Sequence, residues 1–296
     1  MYRNNIIKQR QAKISDSDRI KQFLDEDVLV HKHLDWKEPL AWIGSDGFLI
    51  DETDDEISGV LVCTHEEHGG AWIRMFAAPR MAPLEVTWKR LWKSYIDIAQ
   101  TQPLENVASL SFSNWYCTLL ENITFRHTLD IVFFEHNDPT ALKIYQSPGI
   151  YVREMESTDL EVVEQIDHSA FSHMWQVSRQ TIEGFLGVDG YSSIAMMNGQ
   201  IVGYQASSVF LNKAHINRIA INPQFQNKHI GTTLLGSLFE HLTLMGVTSI
   251  SVNTQSNNSA SLALYQRSGF RLQDNKIPVL EQNFNQLRTH LAQFES

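Results

Sequence analysis

A polar loop that leads into a glycine-containing helix start is the first feature of this sequence that could do chemistry. Apolar residues alternate from Ile216 to Ile221, as in a β-strand, and the donor-rich loop 224–230 follows. Gly231 then opens a stretch with apolar residues at helical spacing. The first N–H groups of a helix have no partner within it, and the helix dipole adds roughly half a positive charge there. The segment therefore predicts a seat for phosphate, although any strand-loop-helix connection has the same outline.

A second polar segment lies further along the chain. Residues 249–254 form a short β-rich run, and a helical pattern follows that Asn258 or Ser259 is suited to cap. Gly269 stands where a helix commonly ends in a left-handed residue. This pattern predicts a strand and a capped helix downstream of the candidate phosphate seat.

Together the two segments resemble the GNAT superfamily of N-acetyltransferases, and they do so in the family's order. In that family a strand is followed by a Q/R-x-x-G-x-G/A loop that holds the pyrophosphate of acetyl-CoA, and a later N-x-x-A-x-x-L-Y-x-x-x-G-F segment completes the site. The loop here runs from Gln226 to Gly231, with His229 at the position of the family's first glycine. The later segment departs from the pattern only in a serine for the alanine; its positions are Asn258, Ser261, Leu264, Tyr265, Gly269 and Phe270.

The resemblance implies which residues bind acetyl-CoA, the cosubstrate of the family. The strand backbone at Ile219, Ala220 and Ile221 is expected to pair with the pantetheine arm, and the Asn258 amide to bond the pantetheine or its thiol end. Backbone N–H groups of the loop and the first helical turn are expected to hold the pyrophosphate. They belong to Gln226, Asn227, Lys228, His229, Ile230, Gly231 and Thr232. No metal-ligand spacing occurs in the chain, so no metal is expected.

Tyr265 is the residue that the resemblance implies as the catalytic acid. An amine attacks the thioester carbonyl, and Tyr265 then protonates the departing thiolate, because a phenol with an ordinary pKa near 10 is protonated at neutral pH. Burial in the core is the alternative role for this tyrosine. The general base is open, since Asn217 stands where many family members have a glutamate; the candidates are a water molecule, His173, Glu183 and His215.

Contacts with the acceptor are expected from a segment that shows little periodicity. It contains Phe171, His173, Met174 and Trp175. In the family the corresponding helix-loop-helix region helps to define the acceptor pocket, so the resemblance implies substrate contacts here. The alternative is that these side chains pack beneath a loop.

Composition excludes several classes of protein. The chain has 296 residues, of which 43% are hydrophobic, which favours two soluble domains with sizeable cores. Its formal charge of −10 argues against a nucleic-acid surface and against binding to an anionic membrane. Cys63 and Cys117 are too few for a disulfide framework. No apolar run is long enough for a signal peptide or a spanning helix, so a cytoplasmic location is expected.

Periodicity gives an order of elements for the first half. Residues 14–34 suggest a capped amphipathic helix that continues into a second helix, and an antiparallel meander of three strands follows. The helix 84–99 carries large aromatic side chains at helical spacing, which is more typical of a packed core face than of a binding surface. The expected strands are 48–51, 59–64, 72–77, 107–112 and 129–135, with a helix at 114–122.

The second half repeats this order. A strand at 151–155, a helix at 159–170 and a hairpin around Asn198-Gly199 precede the segment described first. Arg74 to Pro79 matches Arg218 to Pro223 at an offset of 144. Phe125 and Phe270 match at an offset of 145, which is the drift expected for a duplicated domain with a small insertion.

The first copy lacks the groups that would hold a pyrophosphate and donate a proton. At these offsets Ala82 takes the position of Gln226, Thr87 that of Gly231 and Leu120 that of Tyr265, and Pro83 removes an N–H donor from the loop. We therefore expect this copy to be architectural, covering the second domain and shaping one wall of the acceptor site.

The sequence thus predicts an α/β protein with mixed sheets and two tandem GNAT-like domains. Residues 1–146 are expected to form a degenerate, non-catalytic domain and residues 147–296 the acetyltransferase domain, with a linker over 137–150 and a final apolar helix from Phe284 to Phe294. The expected function is transfer of acetyl from acetyl-CoA to a primary amine of a small molecule. The alternatives are acetylation of a protein N-terminus or lysine, and a non-catalytic acyl-CoA-binding regulator.

Overall fold

The computed structural model describes residues 7–34, 37–66, 69–138, 147–187 and 189–284. The chain forms two compact units: the first comprises Met1–Leu129 with Ile277–Ser296, and the second comprises Asp130–Lys276. Most of the expected linker and of the final apolar helix lie outside the described residues.

The first unit contains most of the elements expected for the first half. Its elements are β1 (Ile7–Gln11), α1 (Ser17–Leu24), β2 (Val28–Lys32), β3 (Phe48–Thr53), β4 (Glu56–His65), β5 (Gly70–Pro79), α2 (Leu84–Ala99), β6 (Asn106–Leu110) and α3 (Asn114–Asn122). The chain then passes into the second unit along β7 (Arg126–His136). The expected meander is confirmed, because β4 pairs antiparallel with both β3 and β5.

The second unit follows the same order. Its elements are β8 (Ile150–Glu154), α4 (Leu160–Ala170), α5 (Arg179–Gly184), β9 (Gly190–Met197), β10 (Gln200–Phe210), β11 (Lys213–Ile221), α6 (Ile230–Leu244), β12 (Ser249–Gln255) and α7 (Ser259–Arg267). The strand β13 (Arg271–Asn283) begins here and returns to the first unit. In the hairpin between β9 and β10, Asn198 and Gly199 both have positive φ, as a tight turn of this type requires.

One element of the first half was predicted wrongly. The end of the expected helical stretch 14–34 is the strand β2, which pairs antiparallel with β5 from Val28 opposite Pro79 to Lys32 opposite Met75. A short apolar run does not distinguish helix from strand by periodicity alone, and here the partner lies far away in the sequence.

The duplication is visible in individual contacts as well as in the element order. Arg10 binds Asp16 at 2.7 Å in the first unit, and Arg153 binds Asp159 at 2.7 Å in the second. In both units the same carboxylate accepts a backbone N–H three residues before it. The arginine hydrogen bond lowers the pKa of Asp16 and of Asp159 below the ordinary value, so each carboxylate is ionised at neutral pH.

A constant offset of 144 does not hold through the loop before the long helix. Residues 80–83 connect β5 to α2, whereas residues 222–229 connect β11 to α6. The shorter loop brings Pro83 to the residue before α2, where His229 precedes α6. The expected equivalences of Ala82 with Gln226 and of Thr87 with Gly231 are therefore wrong.

The last strand of each copy belongs to the sheet of the other unit. In the second unit β7 pairs antiparallel with β12, from Ile131 opposite Gln255 to His136 opposite Ile250. In the first unit β13 pairs antiparallel with β6, from Val279 opposite Leu110 to Asn283 opposite Asn106. The two compact units consequently do not coincide with the expected domains 1–146 and 147–296.

The core of the first unit is aromatic, as the helical spacing in α2 indicates. Trp88, Trp92 and Tyr95 of α2 are buried against the sheet. In the second unit the core between α6 and the strands β11 and β12 is mostly aliphatic, with Phe239 of α6 as its aromatic member. No helix in the described parts of the chain has the length and apolar character needed to cross a membrane.

Candidate active site

The strands β11 and β12 separate partway along their length. They pair in parallel from Lys213 opposite Ser249 to Ile216 opposite Val252, and no further. β11 continues to Ile221 with β10 on its other side. Among the described residues no strand pairs with this second half of β11 on the side of β12, so its backbone there forms an open edge.

A bulge at Asn217 marks the point of separation. Ala206 of β10 lies opposite Arg218, and Ser207 lies opposite Ile216, which leaves Asn217 as the extra residue on β11. The open edge beyond it contains Ile219, Ala220 and Ile221, which the resemblance assigns to the pantetheine arm.

The helix α6 begins beside this edge with unsatisfied donors. Thr233 N–H donates to His229 O at 3.0 Å, which is the first hydrogen bond of the helix. The N–H groups of Ile230, Gly231 and Thr232 donate to no other group in the described part of the chain. Three free donors at the positive end of a 15-residue helix can bind an anion such as a diphosphate.

Two residues of the preceding loop adopt the left-handed conformation that favours glycine. Asn227 has φ of 61° and His229 has φ of 60°. His229 therefore has the positive φ that glycine adopts readily, although its side chain makes this conformation less favourable than it is for glycine. The side chains of Gln226, Asn227, Lys228 and His229 are all exposed, and Lys228 Nζ lies 4.9 Å from the centroid of the Phe225 ring.

Gly231 allows the start of α6 to lie close to α7. A Cβ atom at this position would lie 3.1 Å from Cδ2 of Leu264, closer than an ordinary contact. The contact places α7 beside the start of α6, and Asn258 is the N-cap residue of α7. Asn258 Oδ1 accepts the Ser261 N–H at 3.1 Å, and its Nδ2 donor has no hydrogen-bond partner among the described residues.

Tyr265 lies on α7 with its ring in the core of the second unit. It is 2% exposed, and its ring centroid is 5.8 Å from that of Phe134 and 5.5 Å from that of Phe270. Its hydroxyl makes no hydrogen bond with the residues that the structure describes. Burial raises the pKa of Tyr265 above its ordinary value, an effect that Arg218 partly opposes, so the phenol keeps its proton at neutral pH.

Of the candidate bases, the structure brings His215 to the point of strand separation. Its Nδ1 lies 2.9 Å from Ser251 Oγ, and Ser208 Oγ donates to Asn217 Oδ1 at 3.1 Å. Burial lowers the pKa of His215, although a hydrogen bond with Asn253 opposes the shift, so the imidazole is neutral at physiological pH. His173 and Glu183 lie elsewhere, with exposed side chains in the segment between α4 and β9.

A buried ion pair beside the bulge was not foreseen as part of the site. Asp167 of α4 is fully buried and accepts two hydrogen bonds from Arg218, at 2.7 and 2.9 Å, and one from the Tyr204 hydroxyl at 2.6 Å. Burial and the carboxylate raise the pKa of Tyr204 well above its ordinary value, which keeps the phenol a donor. In the sequence, the arginine repeated at positions 74 and 218 points to this ion pair, but by itself it indicates only how the two copies align.

This ion pair fixes the segment expected to contact the acceptor. Arg218 Nη2 donates to Trp175 O at 2.6 Å, and its guanidinium carbon lies 3.6 Å from the centroid of the Phe171 ring. Asp167 Oδ1 also accepts the Val177 N–H at 3.1 Å. Phe171 therefore packs as the alternative interpretation predicts, while the exposed His173 remains a candidate for substrate contact.

Comparison with known proteins supports the resemblance for the C-terminal half. Residues 152–270 match the model of the acetyltransferase (GNAT) family. The ribosomal protein bS18-alanine N-acetyltransferase of Escherichia coli (strain K12) is 28% identical over 119 residues, which cover 40% of this chain and 79% of that protein.

Two solved structures share the fold over nearly the whole chain. A GCN5-related N-acetyltransferase from Sphaerobacter thermophilus has a TM-score of 0.62 at 16% identity and covers 94% of this chain and 96% of its own. A tandem GNAT protein from the clavulanic acid biosynthesis pathway has a TM-score of 0.64 at 10% identity, with 94% and 99% covered. The expected tandem GNAT fold is thereby confirmed.

Proposed function

We propose, from the premise that residues 152–270 belong to the acetyltransferase (GNAT) family, that the second unit transfers an acetyl group to a primary amine of a small molecule. Members of the family are acyltransferases, and this chain is an enzyme of that class with acetyl-CoA as its cosubstrate. The identity of the acceptor and the roles of individual residues are the proposal.

The observation that carries the proposal is the open edge of β11 next to the free N–H groups of α6. An extended pantetheine arm can pair with the backbone of Ile219 and Ile221 as a further strand would. The diphosphate then reaches the N–H groups of the loop and of Ile230, Gly231 and Thr232, where the helix dipole stabilises its charge. The thioester is directed towards the bulge at Asn217.

The chemistry is a direct transfer without a covalent enzyme intermediate. The amine nitrogen attacks the thioester carbonyl, and strand N–H groups stabilise the oxyanion that forms. As the C–S bond breaks, Tyr265 donates its proton to the sulfur. The nitrogen loses one proton in the same reaction, which restores the phenol through solvent.

We assign no catalysis to the first unit. Its β5 corresponds to β11, but the edge that is open in β11 is paired with β2. Pro83 precedes α2 and has no N–H donor, and Leu120 stands where α7 has Tyr265.

A protein N-terminus is a second candidate acceptor. The relative from Escherichia coli is named for acetylating the alanine of a ribosomal protein, and it is similar to this chain over 119 residues.

The test combines binding with turnover on a panel of acceptors. We expect acetyl-CoA to raise the melting temperature of the protein, and thiol release to depend on an added amine. The panel contains small amines, short peptides with a free N-terminus, and the same peptides with a blocked N-terminus and one lysine. Turnover on peptides alone would replace the small-molecule acceptor, and stabilisation without turnover on any amine would contradict the proposed reaction.

A further inference from the structure

We propose that the acceptor is an α-amine with a carbonyl on the adjacent carbon, and that it reaches the thioester already deprotonated. This inference rests on the proposed function, and it names the class of amine that the site accepts. An amino acid amide and the N-terminus of a peptide share this chemistry.

The groups at the point of strand separation are uncharged. Asn217 and Asn253 are the first residues beyond the last pair of β11 and β12, Ile216 with Val252. Next to them, Ser208 Oγ binds Asn217 Oδ1, and the His215 imidazole binds Ser251 Oγ. The wall of this region thus consists of amides, hydroxyls and a neutral imidazole.

The strands around this region contribute no ionised side chain to it. β10 and β12 contain no acidic or basic residue, and the charged residues of β11 are Lys213 at its exposed start and Arg218. Arg218 is neutralised by Asp167 of α4, which is fully buried. On β7, Glu135 lies opposite Ser251 and accepts a hydrogen bond from Ser249 Oγ at 3.4 Å, on the paired side of the separation.

The helices that pack on β11 add few titratable groups. Besides Asp167, α4 carries Glu161, Glu164 and His168, of which Glu161 is exposed. On the other helix, α6, Glu240 is exposed and the His241 ring stacks on Tyr191 with centroids 4.1 Å apart. Tyr265 of α7 keeps its proton, as described above.

Such a wall neither attracts an ammonium ion nor removes its proton readily. The conjugate acid of His215 is a stronger acid than free histidine, because burial disfavours the charged ring. An alkylammonium with a pKa near 10.4 is about 0.1% deprotonated at pH 7.5, whereas a peptide α-amine with a pKa of about 7.8 is roughly one third deprotonated. At equal total concentration, the α-amine therefore supplies on the order of 300 times more of the neutral form that such a site requires.

Proton balance is satisfied without a base on the protein. The ammonium loses its first proton to solvent before it binds. The neutral nitrogen forms the C–N bond as the C–S bond breaks, Tyr265 protonates the sulfur, and the second nitrogen proton returns to the phenolate through water. The products are the N-acetylated amine and the free thiol of CoA.

The first test measures kcat/KM against pH for two acceptors of the same shape, with the full-length protein and saturating acetyl-CoA. Alaninamide carries the carbonyl, and 3-methylbutan-2-amine replaces the amide with an isopropyl group. We expect kcat/KM for alaninamide to level off near pH 8, and that for the alkylamine to rise about tenfold per pH unit up to pH 9.5. An alkylamine profile that is flat between pH 7 and pH 9 would overturn the inference, because it requires a base on the protein.

The second test adds a carboxylate to the wall with the same shape. Asn217→Asp keeps the oxygen that Ser208 binds, and the new charge can pair with an ammonium. We expect the preference for alaninamide at pH 7.5 to fall at least tenfold. Asn212→Asp, in the turn just before β11, is the matched control and should leave the preference unchanged. If Asn217→Asp does not fold, the pH profiles of the unsubstituted protein still show whether the acceptor must lose its proton before it binds.

Two further comparisons distinguish a small amide from a peptide N-terminus as the acceptor, and failure of the α-amine preference from failure of the proposed function. Alaninamide and a hexapeptide that begins with alanine are compared directly, and a much higher kcat/KM for the peptide identifies a peptide N-terminus. No thiol release from any amine, with acetyl-CoA bound, would remove the proposed function itself. Efficient transfer to both amines at pH 7.5 would retain that function and remove only the α-amine preference.

Discussion

The two units treat the same edge of the same strand in opposite ways. In the second unit β11 leaves β12 at Ile216, and its remaining edge is open among the described residues. In the first unit β5 pairs with β6 only from Gly70 to Trp72, and β2 pairs with the rest of its edge. A GNAT-like fold can thus either leave this edge open, as our proposal for the cosubstrate requires, or close the edge with a strand of its own.

The segment that closes the edge has a counterpart in the second unit. Val28–Lys32 forms β2 after α1, and the segment around His173 follows α4 at the same point of the repeat. In the second unit this segment is held by Arg218 and Asp167 instead of pairing as a strand. The two units thus differ at this edge in backbone pairing as well as in individual side chains.

The largest effect is expected from a substitution in α7 that has no such effect when made in its counterpart α3. Tyr265→Phe removes the proton that we assign to the departing thiolate, and general acid catalysis of this kind contributes about 10²- to 10⁴-fold to the rate. We expect kcat to fall by that range, with the Kd of acetyl-CoA unchanged, in an assay of thiol release and calorimetry.

The control for this substitution lies in the first unit. The Tyr116 hydroxyl is 2.9 Å from Ser109 Oγ in a buried pair. Tyr116→Phe should lower the free energy of unfolding by about 1 kcal/mol and leave kcat unchanged. Equal kcat values for Tyr265→Phe and the unsubstituted protein would remove Tyr265 as the acid.

The next effect concerns the loop before the long helix. His229→Pro gives the second unit the residue that precedes α2, but proline fixes φ near −65° while His229 has φ of 60°. The loop must rearrange, and the loss of two or more charge-assisted hydrogen bonds predicts a Kd for acetyl-CoA raised at least about 100-fold.

A glycine at the same position is the matched control. His229→Gly keeps the left-handed conformation without a side chain, so calorimetry should find acetyl-CoA bound as tightly as before or more tightly. Weak binding by the glycine variant would show that the imidazole itself contacts the cosubstrate.

The smallest effect is expected from substitution of the arginines at equivalent positions of the two copies, Arg218 and Arg74. Arg218→Lys keeps the charge but loses the planar fork that binds Asp167 and Trp175 O together. Because the acceptor segment is then less well fixed, we expect the KM for the acceptor to rise about tenfold with the Kd of acetyl-CoA unchanged.

Arg74→Lys makes the equivalent change in the first unit, where Arg74 binds Thr64 and Glu66. It should leave both kinetic constants as they are. A rise in acceptor KM in the Arg74 variant equal to that in the Arg218 variant would contradict the separation of roles between the copies.

Local pattern in the sequence predicted much of this fold for a physical reason. The helix 84–99 was located to the residue because its aromatic stripe repeats at helical spacing, and the strand-loop-helix around Gly231 was found because its polar loop interrupts two clear periods. The mostly polar β1 and the short β2 were missed, since both depend on pairing with strands far away in the sequence.

The parts of the site that escaped prediction depend on contacts between distant residues. Asp167 was one of several polar residues on an amphipathic helix, and nothing local shows that Arg218 binds it from β11. The bulge at Asn217 likewise follows from its register with β10. The repeat could have revealed β1, because Arg10 and Asp16 recur at the same spacing as Arg153 and Asp159.

The exchange of β7 and β13 constrains how this gene can be divided. A fragment ending at residue 146 would keep β7, whose paired residues belong to the second unit, and would lack the returning end of β13. The complementary fragment would have the reverse defect. Neither copy could therefore be deleted or expressed alone with all the strands of its unit present, which favours retention of both copies whether or not both are catalytic.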